Sequence, residues 1–525
     1  MKNFVSIFMA ACLSAVSCTR EGIAPDGGFD DPYRLTHDMI VLGEQLEDPY
    51  SVENITAAVK SLYPTKASRL DITATDLYVR FLPADQGQYE RLEKMGVRMM
   101  DHPLDYQIVK EGDYYHDPEI PEEDITWQYA VVKSGFMFPD GIYYEILDEC
   151  YISDNDYSTR ASEDIDWSAV EREAFRMTGN ASLLEPQTKG GSQKPEGRIT
   201  IVDKDHGMGN PVGVAGVMVS ANSFVKIATA YTDDEGYYSF DKSFSSEARY
   251  RIIFRNKRGF GIGMNLLLVP ASVSTLGKNP ASGVDLEIDS DSDRKLYVRA
   301  AVNNSVNDYF EFCQNEDEGI SVPPSNLRIW LFQKMTSSST PMLQHGALLD
   351  RSLFAEYLGE YSSLIKMFLP DVTLGLGAAE SYADIYGLTV HELSHASHYM
   401  TVGNRYWDRY IMYVIKSYVT SMGTVYGSGT EKDAGYCEVG EMWGYFMQNS
   451  MIRLRYGALD RAHGTSWWFS PQILLYMEER GLTRGKIFRA MTSEVTDLSQ
   501  LKQSLIDLYP EYAGMIGQAF ERYDY

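Results

Sequence analysis

The stretch GLTVHELSHASHYM, residues 387–400, sets His391 and His395 four positions apart, with Glu392 directly after the first histidine and His398 beyond the second. On a helix, positions i and i+4 share a face. His391 and His395 would therefore offer two imidazoles to one cation such as zinc, which takes nitrogen, sulfur or carboxylate ligands at tetrahedral corners. Glu392 stands where a carboxylate hydrogen-bonds a metal-activated water and takes its proton as that water attacks a carbonyl. Neither SYADIYGLTV before the motif nor ASHYM after it contains proline, so an unbroken helix is expected. With 9 histidines in 525 residues, a chance HExxH has a probability on the order of one per cent, which makes coincidence a poor explanation. The competing readings are histidines satisfied in an ordinary core or surface, and a vestigial site that has lost its activity.

His398 lies about 10 Å along the helix axis from His391, too far for one helix to give three ligands to a single tetrahedral ion. It is expected behind the ligands, orienting a carboxylate or bonding the backbone.

The third ligand separates the families. Metzincins continue as HExxHxxGxxH, but His398 stands at the glycine position and Thr401 at the third histidine, which excludes them. The segment instead resembles the gluzincins, zinc metallopeptidases of the zincin type that take a glutamate from a second helix downstream. That resemblance implies Glu441 in YCEVGEMWGYFM, residues 436–447, as third ligand, with Glu438 as the alternative. Gly444, three positions after Glu441, would let two helices approach. An unpaired carboxylate among Met, Trp, Tyr and Phe is costly, and a cation would resolve that cost. The same resemblance implies a donor for the developing oxyanion. His463, the only histidine after Glu441, is the candidate ahead of Tyr445, against the reading of an ordinary loop residue. DVTLGLG, residues 371–377, resembles the zincin edge strand on which a peptide lies extended. The implied set is Zn2+ on His391, His395 and Glu441, with Glu392 and His463 catalytic and a peptide or protein as substrate.

Around this motif the chain must supply more than one core, since single cores stop growing at roughly 250–300 residues. Apolar residues at 44% and charged ones at 23% leave ample material for burial. The expected fold class is multidomain α+β. An N-terminal small α+β domain spans 30–185, where DLYVRFLPADQGQYERLEKMGVRMM reads as strand, helix and strand, a β-α-β unit, with a further helix over Trp167 to Met177. PQTKGGSQKPEG at 186–197 has the composition of a linker. A central antiparallel β-sandwich follows over 198–293. Its strands RITIV, GVMVSA, KIATAYT, YYSF and RYRIIF resemble the transthyretin-like carboxypeptidase-regulatory-like domain, which makes Asp233, Asp234 and Glu235 a hairpin turn rather than a calcium site. Residues 294–525 form the mainly helical zincin-like metallopeptidase domain, with one β run at 326–332.

A formal net charge of −27 repels phosphate backbones, so no nucleic-acid partner is expected. MKNFVSIFMAACLSAVSC has the layout of a secretory signal over 1–17, too short to span a bilayer. Ala15 to Cys18 resembles a bacterial lipobox, which implies lipid on Cys18, a tether over 18–29 and attachment to the membrane. Thr19 after the cysteine resembles Gram-negative outer-membrane sorting, with the leaflet left open; plain secretion is the alternative. Cys150, Cys313 and Cys437 have no metal-site spacing and are odd in number, so no disulfide framework is expected. A cut in 186–197 would then free the C-terminal part from its anchor, and would activate it if the first domain covered the cleft. The rival to a zinc peptidase is a cell-surface binding or adhesion lipoprotein whose zincin domain is inert.

Overall fold

The run DLYVRFL becomes the central strand of an antiparallel sheet, Asp76–Leu82 between Gln128–Lys133 and Tyr143–Cys150. This computed structural model describes residues 18–19, 39–67, 70–121, 124–153, 165–186, 194–263, 271–333, 336–347, 370–420, 426–457, 462–523 and 525. The protein is multidomain α+β, with several separate sheets. Alternation buries Leu77, Val79 and Phe81 on one face, where Leu92 of the helix Gln86–Lys94 and Val97 close a small core. The expected β-α-β unit does not form. Both edges of the central strand are taken by antiparallel neighbours, so after Gly96 no edge remains for a parallel strand, and only Met100 pairs, with Tyr129, in an isolated bridge. The helix Trp167–Met177 forms as read, and packs Val170 and Ala174 against Ile55, Ala58 and Val59 of the helix Val52–Leu62.

The next segment folds into two facing sheets. One has the order Lys226–Tyr231, Met218–Ser223, Ala248–Ile253, Val273–Asn279; the other sets Glu196–Val202 between Tyr237–Ser239 and Leu286–Ile288. At the turn DDEG, Asp233 Oδ1 accepts the amides of Glu235 and Tyr237 at 2.9 Å each, so its carboxylate serves the turn. The sandwich is not wholly antiparallel, because Leu286–Ile288 joins Glu196–Val202 in parallel. Nor is it a closed unit: Gly261–Gly263 leaves it to pair in parallel with Arg328–Phe332, which pairs in parallel with Val372–Gly375. A boundary at 293/294 therefore separates no cores, and buried residues from Ile199 to Phe520 form one continuous cluster. The helix Arg294–Gln314 explains this. It is buried along most of its length, and Asn303, Asn304 and Asn307 donate to the carbonyls of Ala215 and Gly213 in the sandwich.

The linker expected at 186–197 falls on 187–193, outside the described residues, and its end lies in the strand Glu196–Val202. It is also not what holds the first domain in place. Tyr50, Trp127 and Phe175 share a core with Phe224 and Val225 of the sandwich. Lys226 meets Glu171 at 2.7 Å with both groups buried, and Arg251 donates to His102 at 2.7 Å. Arg249 pairs with Glu111, Arg299 with Asp113, and Arg328 with Glu90. Cys150, Cys313 and Cys437 are buried free thiols. The signal and tether readings at 1–17 and 18–29 lie outside the described residues, except that Cys18–Thr19 pairs antiparallel with Ser337–Ser338. Among the described residues no helix is long and apolar enough to cross a membrane.

A chain nicked by an inserted protease site within 187–193 is therefore expected to elute from gel filtration at moderate salt as one species containing both fragments. Two separated fragments would show that the shared core does not hold the domains together.

Candidate active site

The HELSH segment lies on a helix that starts cleanly. Ser381 Oγ accepts the Asp384 amide and Asp384 Oδ2 accepts the Ser381 amide, each at 3.1 Å, a reciprocal cap at the N-terminus of Tyr382–Thr420. The helix is interrupted once, at Gly403 (φ 75°, ψ 176°), so the motif rides on 382–402 and a return helix, 404–420, follows. His391 and His395 thereby share one face.

The helix Ala434–Tyr456 crosses that face at close range. A Cβ on Gly444 would lie 2.8 Å from His391 Cε1 and Nε2 and 2.9 Å from His395 Cε1, and a Cβ on Gly387 would meet Ile452 at 2.7 Å. Glycine at both positions lets the two helices close until Glu441 reaches the imidazoles. His391 Nε2 lies 3.5 Å from Glu441 Oε2, His395 Nε2 lies 3.6 Å from Glu441 Oε1, and the two Nε2 atoms are 3.1 Å apart. Bonds of about 2.0–2.1 Å from a tetrahedral zinc set neighbouring corners roughly 3.3 Å apart, so the three groups fit such an ion. His391 Nδ1 faces Gln448 Oε1 at 3.3 Å, which fixes the ring.

Burial sets the electrostatics. His391 is 1% exposed, and Glu392, His395 and Glu441 are 0% exposed. Burial pushes His395 down to about 3. Burial alone would raise Glu441, but its hydrogen bond with His391, the neighbouring imidazoles and the Tyr410 hydroxyl outweigh it and hold the carboxyl at about 2. For His391 burial acts downward, and Glu441 and Glu392 outweigh it, so the net shift is upward. Two buried carboxylates beside two imidazoles form an acidic centre that a divalent cation would neutralise.

The other expected residues lie as follows. Glu438 is not part of the cluster: it accepts the Tyr525 hydroxyl at 2.7 Å and the Leu498 amide at 3.4 Å, because one turn before Glu441 the helix faces the C-terminal segment. His398 orients no carboxylate. Neither of its ring nitrogens has a hydrogen-bond partner among the described residues, and it packs against Tyr406 and Trp407 with burial pushing it down to about 3. His463 is tied by its main chain to Asn449, and its neighbour Gly464 lies against the Tyr445 ring, whose centroid is 4.5 Å from that of His391. His463 is not among the groups that converge with His391, His395 and Glu441. Val372–Gly375 is not the outermost strand, since Ser339 and Thr373 exchange both main-chain hydrogen bonds, at 2.9 and 2.7 Å, in an antiparallel bridge beyond it.

Two contacts were not foreseen. The Tyr410 hydroxyl donates to Glu441 Oε1 at 2.5 Å, and its ring stands 5.9 Å from His395. Thr340 Oγ1 lies 2.7 Å from Glu392 Oε2 and 2.9 Å from the Glu392 carbonyl. The only sequence signal for Tyr410 was Gly403, whose break turns the chain back over the motif; nothing marked Thr340.

No protein-family model, curated protein or solved structure matches the chain. The geometry gives its own check. Gly444→Ala is expected to cost about 1–3 kcal/mol of stability and to lower bound zinc, because its methyl meets both imidazoles. Chemical denaturation and metal analysis would read this, and unchanged zinc content would count against the helix crossing.

Proposed function

We propose that this protein is a zinc-dependent peptidase of gluzincin-like type, carried on a lipid anchor at Cys18 in the outer membrane. One observation carries the reading: His391, His395 and Glu441 each offer a ligand atom within 4.8 Å of the others, with Glu392 beside them on the motif helix. Zinc, when bound there, supplies the Lewis acidity that makes water nucleophilic near neutral pH. His391, His395 and Glu441 would hold it. Glu392 takes the proton of the attacking water at a carboxylate oxygen and passes it to the nitrogen of the leaving amine. The sandwich, transthyretin-like in its strand pattern, serves as scaffold in this reading.

One observation favours the rival, a surface binding lipoprotein with an inert centre: every group in the cluster is buried. Among the residues over the site, Trp407 and Tyr410 come from the return helix, and their rings lie 5.9 Å from His395. A peptidase of this form must open before it cuts.

Zinc-loaded full-length protein is expected to cleave fluorescein-casein. Glu392→Gln should keep its zinc and lose roughly a hundredfold or more of that rate, while Glu441→Gln should lose zinc. Zinc-loaded wild type with no turnover would transfer the case to the rival.

A further inference from the structure

We propose that Thr340 is the positioning residue for Glu392, an inference that rests on the peptidase reading above. Its hydroxyl lies 2.7 Å from Glu392 Oε2 and 2.9 Å from the carbonyl of the same residue. A hydroxyl carries one hydrogen, and an ionised carboxylate is the stronger acceptor, so the hydrogen goes to Oε2. That bond fixes both the rotamer of Glu392 and the plane of its carboxylate.

Thr340 is itself held from two sides. Its carbonyl accepts the Trp407 indole N–H at 2.9 Å, from the return helix. The preceding residue, Ser339, is locked to Thr373 by both main-chain bonds and by a hydroxyl contact of 2.7 Å. The hydroxyl thus sits one residue beyond a bridged position, on a residue whose own carbonyl is held, and Thr340 is only 1% exposed. A purely structural role would be to satisfy the carbonyl of the motif helix. That role would need the hydroxyl beside the carbonyl alone, whereas here the shorter of the two distances is to the side chain.

The test uses zinc-loaded full-length wild type, Thr340→Val, Thr340→Ser and Glu392→Gln. Valine keeps the shape and removes the hydroxyl; serine keeps the hydroxyl. Three quantities are read: bound zinc, kcat and KM on fluorescein-casein, and the affinity for acetohydroxamate, a small zinc chelator that also hydrogen-bonds a carboxylate beside the metal. Thr340→Val is expected to keep its zinc and leave KM little changed. It should lower kcat about 10- to 100-fold and weaken acetohydroxamate in the same direction as Glu392→Gln, with Thr340→Ser restoring most of both. Unchanged kcat and acetohydroxamate affinity in Thr340→Val, beside losses in Glu392→Gln, overturns the positioning role and leaves the peptidase reading standing. If wild type holds zinc but cuts no casein, the acetohydroxamate arm decides by the same comparison. Glu392→Gln with undiminished acetohydroxamate affinity removes Glu392 from the metal's side and this role with it. Wild type that binds no zinc defeats the underlying reading itself.

Discussion

Everything at the centre depends on how closely two helices cross. Imidazole and carboxylate side chains are short, so Glu441 meets His391 and His395 only because Gly387 and Gly444 remove the Cβ atoms that would hold the helices apart. Close approach also makes burial complete, and completeness raises the electrostatic stakes. A carboxylate at 0% exposure without neighbouring positive charge would be unfavourable by several kcal/mol. The hydrogen bonds from His391 and Tyr410 answer part of that demand, and a divalent cation would answer the rest.

The rest of the molecule serves to hold that crossing still. The helix Arg294–Gln314 ties the sandwich to the C-terminal part through asparagines bonded to main-chain carbonyls, and Tyr309 reaches Ser397 on the motif helix at 3.0 Å. The parallel trio Gly261–Gly263, Arg328–Phe332 and Val372–Gly375 takes one strand from the sandwich segment, so sandwich and helices cannot shift independently. The sandwich is in this sense a foundation of the site and shares its core.

How much of this was legible beforehand depended on the range of the interaction. His391, Glu392 and His395 were readable because i and i+4 on a helix is a local rule. Glu441 came from the resemblance to a two-helix site, and its neighbour Gly444, a small residue that lets helices approach, favoured it over Glu438. Strands in the sandwich segment and the helix Trp167–Met177 followed from periodicity and end signals. What escaped was long-range. The β-α-β expectation failed because the partners of Asp76–Leu82 arrive from residues 128–150 and take both its edges. The parallel pairing of Gly261–Gly263 with Arg328–Phe332, across the expected boundary at 293/294, had no local signal. Thr340 and Tyr410 carry no local pattern at all; only the folded chain brings them to Glu392 and Glu441.

The break at Gly403 has a mechanical side. The return helix leaves this break with Trp407 bonded to Thr340 and Tyr410 bonded to Glu441, so a single swing about the glycine would strip support from Glu392 and Glu441 together. Exposure and disarray would arrive in one stroke. Whatever enters the opened centre must then re-establish, through its own contacts, the order that the two aromatic side chains maintain at rest.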